Sequence, residues 1–159
     1  MATTTTLEAI RDSLITALRA ITPASLAQEK FDRSPTRTPL RSWATGDSSC
    51  LRKFEIVPTS TPEPVGVHGA SETRLHQELT VTIAYPASFV YGDQDIDDMR
   101  DVIDADARKV RDALFTGANY PAGAEPVSEP IVGLPDEGEG VWFQEITVLV
   151  QRLESMTLG

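Results

Sequence analysis

The stretch RLHQELTVTIAYP (residues 74–86) carries the cleanest two-residue alternation in the chain. Leu75, Leu79, Val81, Ile83 and Tyr85 fall on one side, and His76, Glu78, Thr80, Thr82 and Ala84 on the other. Successive strand side chains point to opposite faces, so this pattern predicts a strand buried on one face and solvated on the other. Such a strand belongs in an antiparallel sheet covered on one side by helices.

Its partners must come from the flanking sequence. LRKFEIV (residues 51–57), in which Phe54 and Ile56 share a face, predicts the other arm of a hairpin. Between them PTSTPEPVGVHGASE (residues 58–72) holds three prolines and two glycines, and reads as a long hairpin loop. VWFQEITVLVQRL (residues 141–153) predicts the last strand, with Ile146, Val148 and Val150 alternating with Glu145, Thr147 and Gln151. PAGAEPVSEPIVGLPDEGEG (residues 121–140) precedes it as a second long loop.

Two segments have helical periodicity instead. Over residues 5–21, Leu7, Ile10, Leu14, Ala17, Leu18 and Ile21 line one face, with Thr5 or Thr6 as cap and Pro23 beyond the end. Over residues 95–115, Ile96, Met99, Val102, Ile103, Ala107, Val110, Ala113 and Leu114 form an apolar arc closed by Gly117 and Asn119. Asp106 lies inside that arc and needs a partner, because an unpaired buried charge is costly. Arg19, Arg152, backbone N–H groups or an ion pair across a subunit boundary would serve. Residues 22–49, broken by Pro23, Pro35, Pro39 and Gly46, read as an extended arm, with Phe31 and Trp43 docking part of it. The expectation is one α+β domain over residues 1–159. It has a small, mostly antiparallel sheet of three to four strands, two helices packed on one face, and long loops.

The 159 residues carry a net charge of −10, unevenly placed. Residues 1–91 hold nine basic and nine acidic side chains, whereas residues 92–159 hold five against fifteen, so the whole excess lies in the second part. Residues 30–53 run the other way, six cations facing Asp32 and Asp47. An acidic chain makes a poor general nucleic-acid binder, but opposite charges at its two ends can steer copies head to tail. No apolar run approaches the roughly 18 residues that cross a bilayer, and the N-terminus lacks the pattern of a signal peptide. Cys50 is the single cysteine, so no disulfide framework or cysteine-based zinc cluster forms within the chain.

Acidic chemistry is concentrated in YGDQDIDDMRDVIDADARKV (residues 91–110). A calcium loop starting at Asp93 would take Asp93, Asp95, Asp97 and Asp104 as ligands, but Asp98 stands where the sharp turn needs glycine. The helical register also begins at Ile96. The cluster therefore reads as a helix start, with Asp93 or Asp95 as cap and Asp97 and Asp98 favoured by the positive end of the dipole. Cys50, His68 and His76 form no recognisable nucleophile–base motif, and no phosphate-binding, dinucleotide or HExxH fingerprint occurs. No enzyme, cofactor or metal site is expected.

In element order the chain resembles the tail terminator (tail completion) proteins of long-tailed, lambda-like bacteriophages. The resemblance rests on LEAIRDSLITALRAI, LTVTIAYP, the aspartate-rich entry to DMRDVIDADARKVRDALF, and the closing WFQEITVLVQRL, and covers about residues 5–153. It implies a virion protein assembled in the host cytoplasm, a homo-oligomeric ring, typically a hexamer, on the last ring of the tail tube. Such a ring stops tube polymerisation, docks head-completion or neck proteins, and lets DNA pass its lumen without specific binding. The side chains expected at subunit or partner contacts are Arg33, Arg37, Arg41, Trp43, His68, Arg74, Asp97, Asp98, Asp101 and Asp106. The alternatives are another head–tail joining (neck) ring protein, or a small calcium- or ligand-binding domain built on the aspartates.

Overall fold

The computed structural model describes residues 4–23, 30–44, 50–67, 72–86 and 96–155, with residues 96–98 as backbone. In chain order these form α1 (Leu7–Arg19), β1 (Asp32–Arg33), α2 (Leu40–Ala44), β2 (Lys53–Pro58), β3 (Glu63–Val67) and β4 (Glu72–Pro86). After them come α3 (Ile96–Phe115), a 3-10 turn (Gly117–Asn119), β5 (Ala124–Pro126), β6 (Ile131–Val132), β7 (Asp136–Gly138) and β8 (Val141–Ser155).

The two strands predicted from alternation are the axis of the fold. β4 and β8 have 15 residues each and pair antiparallel throughout, from Glu72 opposite Ser155 to Pro86 opposite Val141. At about 3.3 Å per residue each runs roughly 50 Å, long enough to carry several short neighbours on its outer edge. β2 and β3 lie end to end along β4, and β5, β6 and β7 lie along β8, all antiparallel; β1 adds parallel to β2.

The expected small sheet is corrected by this arrangement. Among the described residues one sheet has eight strands and there are three α-helices, a mixed α/β fold in which strands dominate. The extra strands occupy stretches whose composition argues for loop. β3 lies within residues 58–72 and β5, β6 and β7 within residues 121–140, and each is an outer strand, where proline's missing N–H costs no ladder bond. Pro64 pairs opposite Leu75 and the register then shifts before Gly66, a bulge within β3. β7 and β8 join through Glu139 and Gly140, both at positive φ (50° and 82°), the conformation of a two-residue hairpin turn.

Both predicted helices pack on one face. Thr6 caps α1 by accepting the Ala9 N–H at 3.1 Å, while Thr5 instead donates to the Ala122 carbonyl at 2.8 Å. Ile10, Leu14, Ile15 and Leu18 of α1 meet Met99, Ile103, Ala107, Val110 and Leu114 of α3 over Phe54, Ile56, Leu79, Val81, Ile83, Tyr85, Ile146, Val148 and Val150. Asn119 donates to the Ala113 carbonyl at 2.8 Å and Tyr120 to that of Leu114 at 2.6 Å, closing the α3 C-terminus. On the wet side of α3, Arg108 pairs with Asp104 as the i,i+4 spacing predicts, whereas Asp112 meets Arg111.

The opposite sheet face is not left to solvent, as strict alternation would have it. The described part of the arm folds back as α2, whose Leu40 and Ala44 join Cys50, Ala84, Val141 and Phe143 in a second apolar cluster flanked by Trp43. Glu55 accepts the Leu40 N–H at 3.0 Å and so anchors the start of α2 to β2. Thr80 is buried beside it, its hydroxyl 3.1 Å from Thr59 and 2.9 Å from Thr147. No helix among the described residues is long and apolar enough to cross a membrane.

Candidate functional site: a sealed ion pair and two open sheet edges

Asp106 has a partner that differs from each one the sequence offered. Its Oδ2 accepts from Arg52 Nε at 2.7 Å and from the Tyr85 hydroxyl at 2.8 Å, and its Oδ1 from Arg52 Nη2 at 3.2 Å. Both charged side chains have zero exposure, and the guanidinium stands 5.8 Å from the centre of the Phe31 ring. Arg52 enters β2 with φ at +56°, a left-handed conformation uncommon for a side-chain-bearing residue, while its N–H donates to the Ala84 carbonyl at 2.8 Å. Strand alternation carried no signal for this partner, because Arg52 precedes β2 in a left-handed turn. A sealed pair of this kind fixes α3 against β2 and β4. It reaches neither a substrate nor a second subunit, so Asp106 leaves the set of interface candidates.

The surface has its own chemistry at the two outer edges of the sheet. β1 pairs only with Lys53 and Phe54, so among the described residues β2 from Glu55 onward has an open outer edge. Beside it runs a groove of about 380 Å³ whose apolar wall includes Ile15, Ile56 and Val57 and whose cations are Arg11, Arg33 and Arg37. Two buried polar atoms of its lining residues, Arg11 Nε and Ser34 Oγ, have no hydrogen-bond partner among the described residues. Buried polar atoms are nearly always satisfied, so such a pair marks a place where a further group is needed.

The opposite edge is the reverse in character. Leu134 is 93% exposed and Ile131 72% exposed, on the outermost row formed by β6 and the residue pair after it. Val132 and Leu134 border a hollow with Trp142, whose ring lies 5.4 Å below the Arg100 guanidinium, and with Asp101 and Asp104 of α3. One edge thus offers a basic groove with an apolar wall, and the other an apolar ridge beside carboxylates.

The remaining candidates separate by position. Arg33 and Arg37 line the groove, and Asp101 borders the ridge. Arg41 makes its ion pairs within the chain: two bonds of 3.1 Å to Asp136 and one of 2.8 Å to Glu145, with its guanidinium 4.5 Å over Phe143. The bonds from Asp136 and then Glu145 raise its pKa, against the opposing effect of burial. Trp43 is half-buried against the second apolar cluster. Arg74 is exposed near the far end of the β4–β8 ribbon, beside Glu125 and Gln151. Asp97 and Asp98 lie in the first turn of α3, which removes the calcium-loop reading because that loop cannot be helical there; their side chains, like His68, Asp93 and Asp95, lie outside the described residues. His76 bonds Gln151 across the strands at 3.1 Å. Sequence reasoning missed Leu134 and Ile131, although IVGL is an apolar run inside a loop of otherwise polar and turn-forming residues. The chain matches no protein-family model, and no curated protein matches it in sequence.

Proposed function

We propose that this chain is a structural virion subunit: it forms a ring that caps the tail tube of a long-tailed phage, ends tube polymerisation and presents a docking surface to the head or neck. The observation that carries the reading is the apolar ridge at the outer edge of β6, where Ile131 of that strand and Leu134 just after it stand in solvent. Proteins normally blunt such edges with charge or cover them, because an open apolar edge invites another chain. The most chemically distinctive group, the Arg52–Asp106 pair, is sealed in the core, so what the molecule offers to the outside is association surface. The order of helix, hairpin, helix and closing strand, on which the resemblance to tail terminators rests, is also the order of α1, β2–β4, α3 and β8. A net charge of −10 suits a ring whose lumen passes DNA without holding it.

Co-sedimentation with purified tail tubes, set against co-sedimentation with DNA-filled heads, tests this reading. A terminator pellets with tubes; pelleting with heads alone assigns the chain to a neck ring and refutes the cap.

A further inference from the structure

We infer that the two open edges are the two halves of one contact, so that the Leu134 ridge of each copy seats in the Arg33–Arg37 groove of the next. This rests on the ring-forming reading above and adds to it the occupant of each edge.

Three observations on different parts of the molecule agree. The first is charge. The groove carries Arg11, Arg33 and Arg37 against Glu55, whereas beside the ridge Asp104 is paired to Arg108 and Arg100 lies over Trp142, which leaves Asp101 as the carboxylate facing the groove's cations. The second is shape and polarity. A ridge ending in a leucine side chain meets a groove with Ile15, Ile56 and Val57 on its wall and two buried polar atoms of its lining residues that have no partner among the described residues. The third is strand direction. β2 and β8 both run antiparallel to β4, and β6 runs antiparallel to β8, so β6 opposes β2 in direction. A second copy displaced across the sheet therefore brings β6 against the open edge of β2 as an antiparallel neighbour.

Both features flank the helix-bearing side, the groove next to α1 and the ridge next to α3. The contact joins two different surfaces, so it is heterologous and repeats from copy to copy until rotation closes a ring. A self-complementary dimer would instead have to bring ridge to ridge, or groove to groove with the arginines of one copy facing those of the other. Burying one leucine side chain corresponds to about 10- to 150-fold in association constant.

The test uses two variants of the full chain. Leu134→Asp removes the ridge, and Arg33→Glu combined with Arg37→Glu reverses the groove. All three positions are exposed, and circular dichroism with thermal melting checks that each variant is folded. By sedimentation velocity, each variant alone should self-associate on the order of 100-fold more weakly than the wild type. Mixed in equal amounts, they should form a one-to-one dimer that grows no further, because each supplies the face that the other lacks. Rings that persist in either variant, or a mixture that stays monomeric, overturn the inference. If such persistent rings still cap tubes, the cap stands and the contact assigned here falls. If the wild type assembles only on tubes, Leu134→Cys with Val57→Cys should give a disulfide ladder between copies there, and no ladder is equally fatal.

Discussion

Replacing Asp106 with alanine is the sharpest perturbation of the fold. The carboxylate accepts two hydrogen bonds from a guanidinium of zero exposure and another from the Tyr85 hydroxyl. Its removal takes a carboxylate away from a guanidinium of zero exposure, and breaking a buried pair from one side costs about 3–5 kcal/mol. Against a typical total of about 5–15 kcal/mol, that is a large fraction of the stability. For a chain of this size it lowers the melting temperature by about 6–20 °C, at roughly 2–4 °C per kcal/mol. Urea unfolding at fixed protomer concentration measures it as a lower midpoint with an unchanged slope; the concentration is held constant because association also stabilises. The double variant Arg52→Met with Asp106→Leu should recover most of the loss, because apolar replacement of both partners removes both charges. A loss below about 1 kcal/mol in the single variant, of the order seen for an exposed pair, would refute the claim that this pair is sealed.

Other outcomes follow from single contacts. Thr6→Ala removes the side-chain cap of α1 and should cost about 1 kcal/mol in urea unfolding. Gly123→Ala should cost more than about 1 kcal/mol, since φ is +87° there and a methyl group would collide with the Thr5 hydroxyl. Adding Thr5→Ala should relieve the collision and leave the backbone strain, so the double variant recovers only part. Asp32 is held below the ordinary carboxylate value of 3.8: burial pushes it up, but the bonds from Arg19 and the Arg33 N–H, with the Arg19 and Lys53 charges, outweigh it. Because its folded pKa is the lower one, this contribution is present above about pH 4 and is lost as the pH falls through the folded value. Asp32→Asn should therefore lower the urea midpoint at pH 6, by less than about 1 kcal/mol because both partners are half-exposed, and by progressively less as the pH falls below about 4.

What could be read in advance is what local periodicity controls. The alternation of residues 74–86 and 141–153 gave β4 and β8, and the apolar arcs gave α1 and α3, because each element has one face that must be buried. β3, β5, β6 and β7 have no such signature. They are strands because two 15-residue neighbours offer them hydrogen bonds, and their prolines and glycines are tolerated only on an outer row. α2 is a case of the same kind: five residues are too few to be helical alone, and Glu55 and the second apolar cluster hold them. At the candidate site, Arg33, Arg37 and Asp101 were visible as charge, but charge does not say which side chains share an edge. Arg41 looked equally eligible, and its Asp136 and Glu145 partners, 95 and 104 residues away, are set by tertiary folding. Asp106 showed where a partner was needed, but its pairing with Arg52, 54 residues away, emerges only once α3 is packed against the turn before β2.

The ring proposed for this chain would sit on the end of a tail tube. Electron microscopy of the purified protein, alone and mixed with tail tubes, would show it. Closed rings of cyclic symmetry should be seated on one end of each tube, and the tubes should no longer lengthen when tube protein is added. A protein that stays monomeric at every concentration and leaves tube ends bare and growing would contradict it.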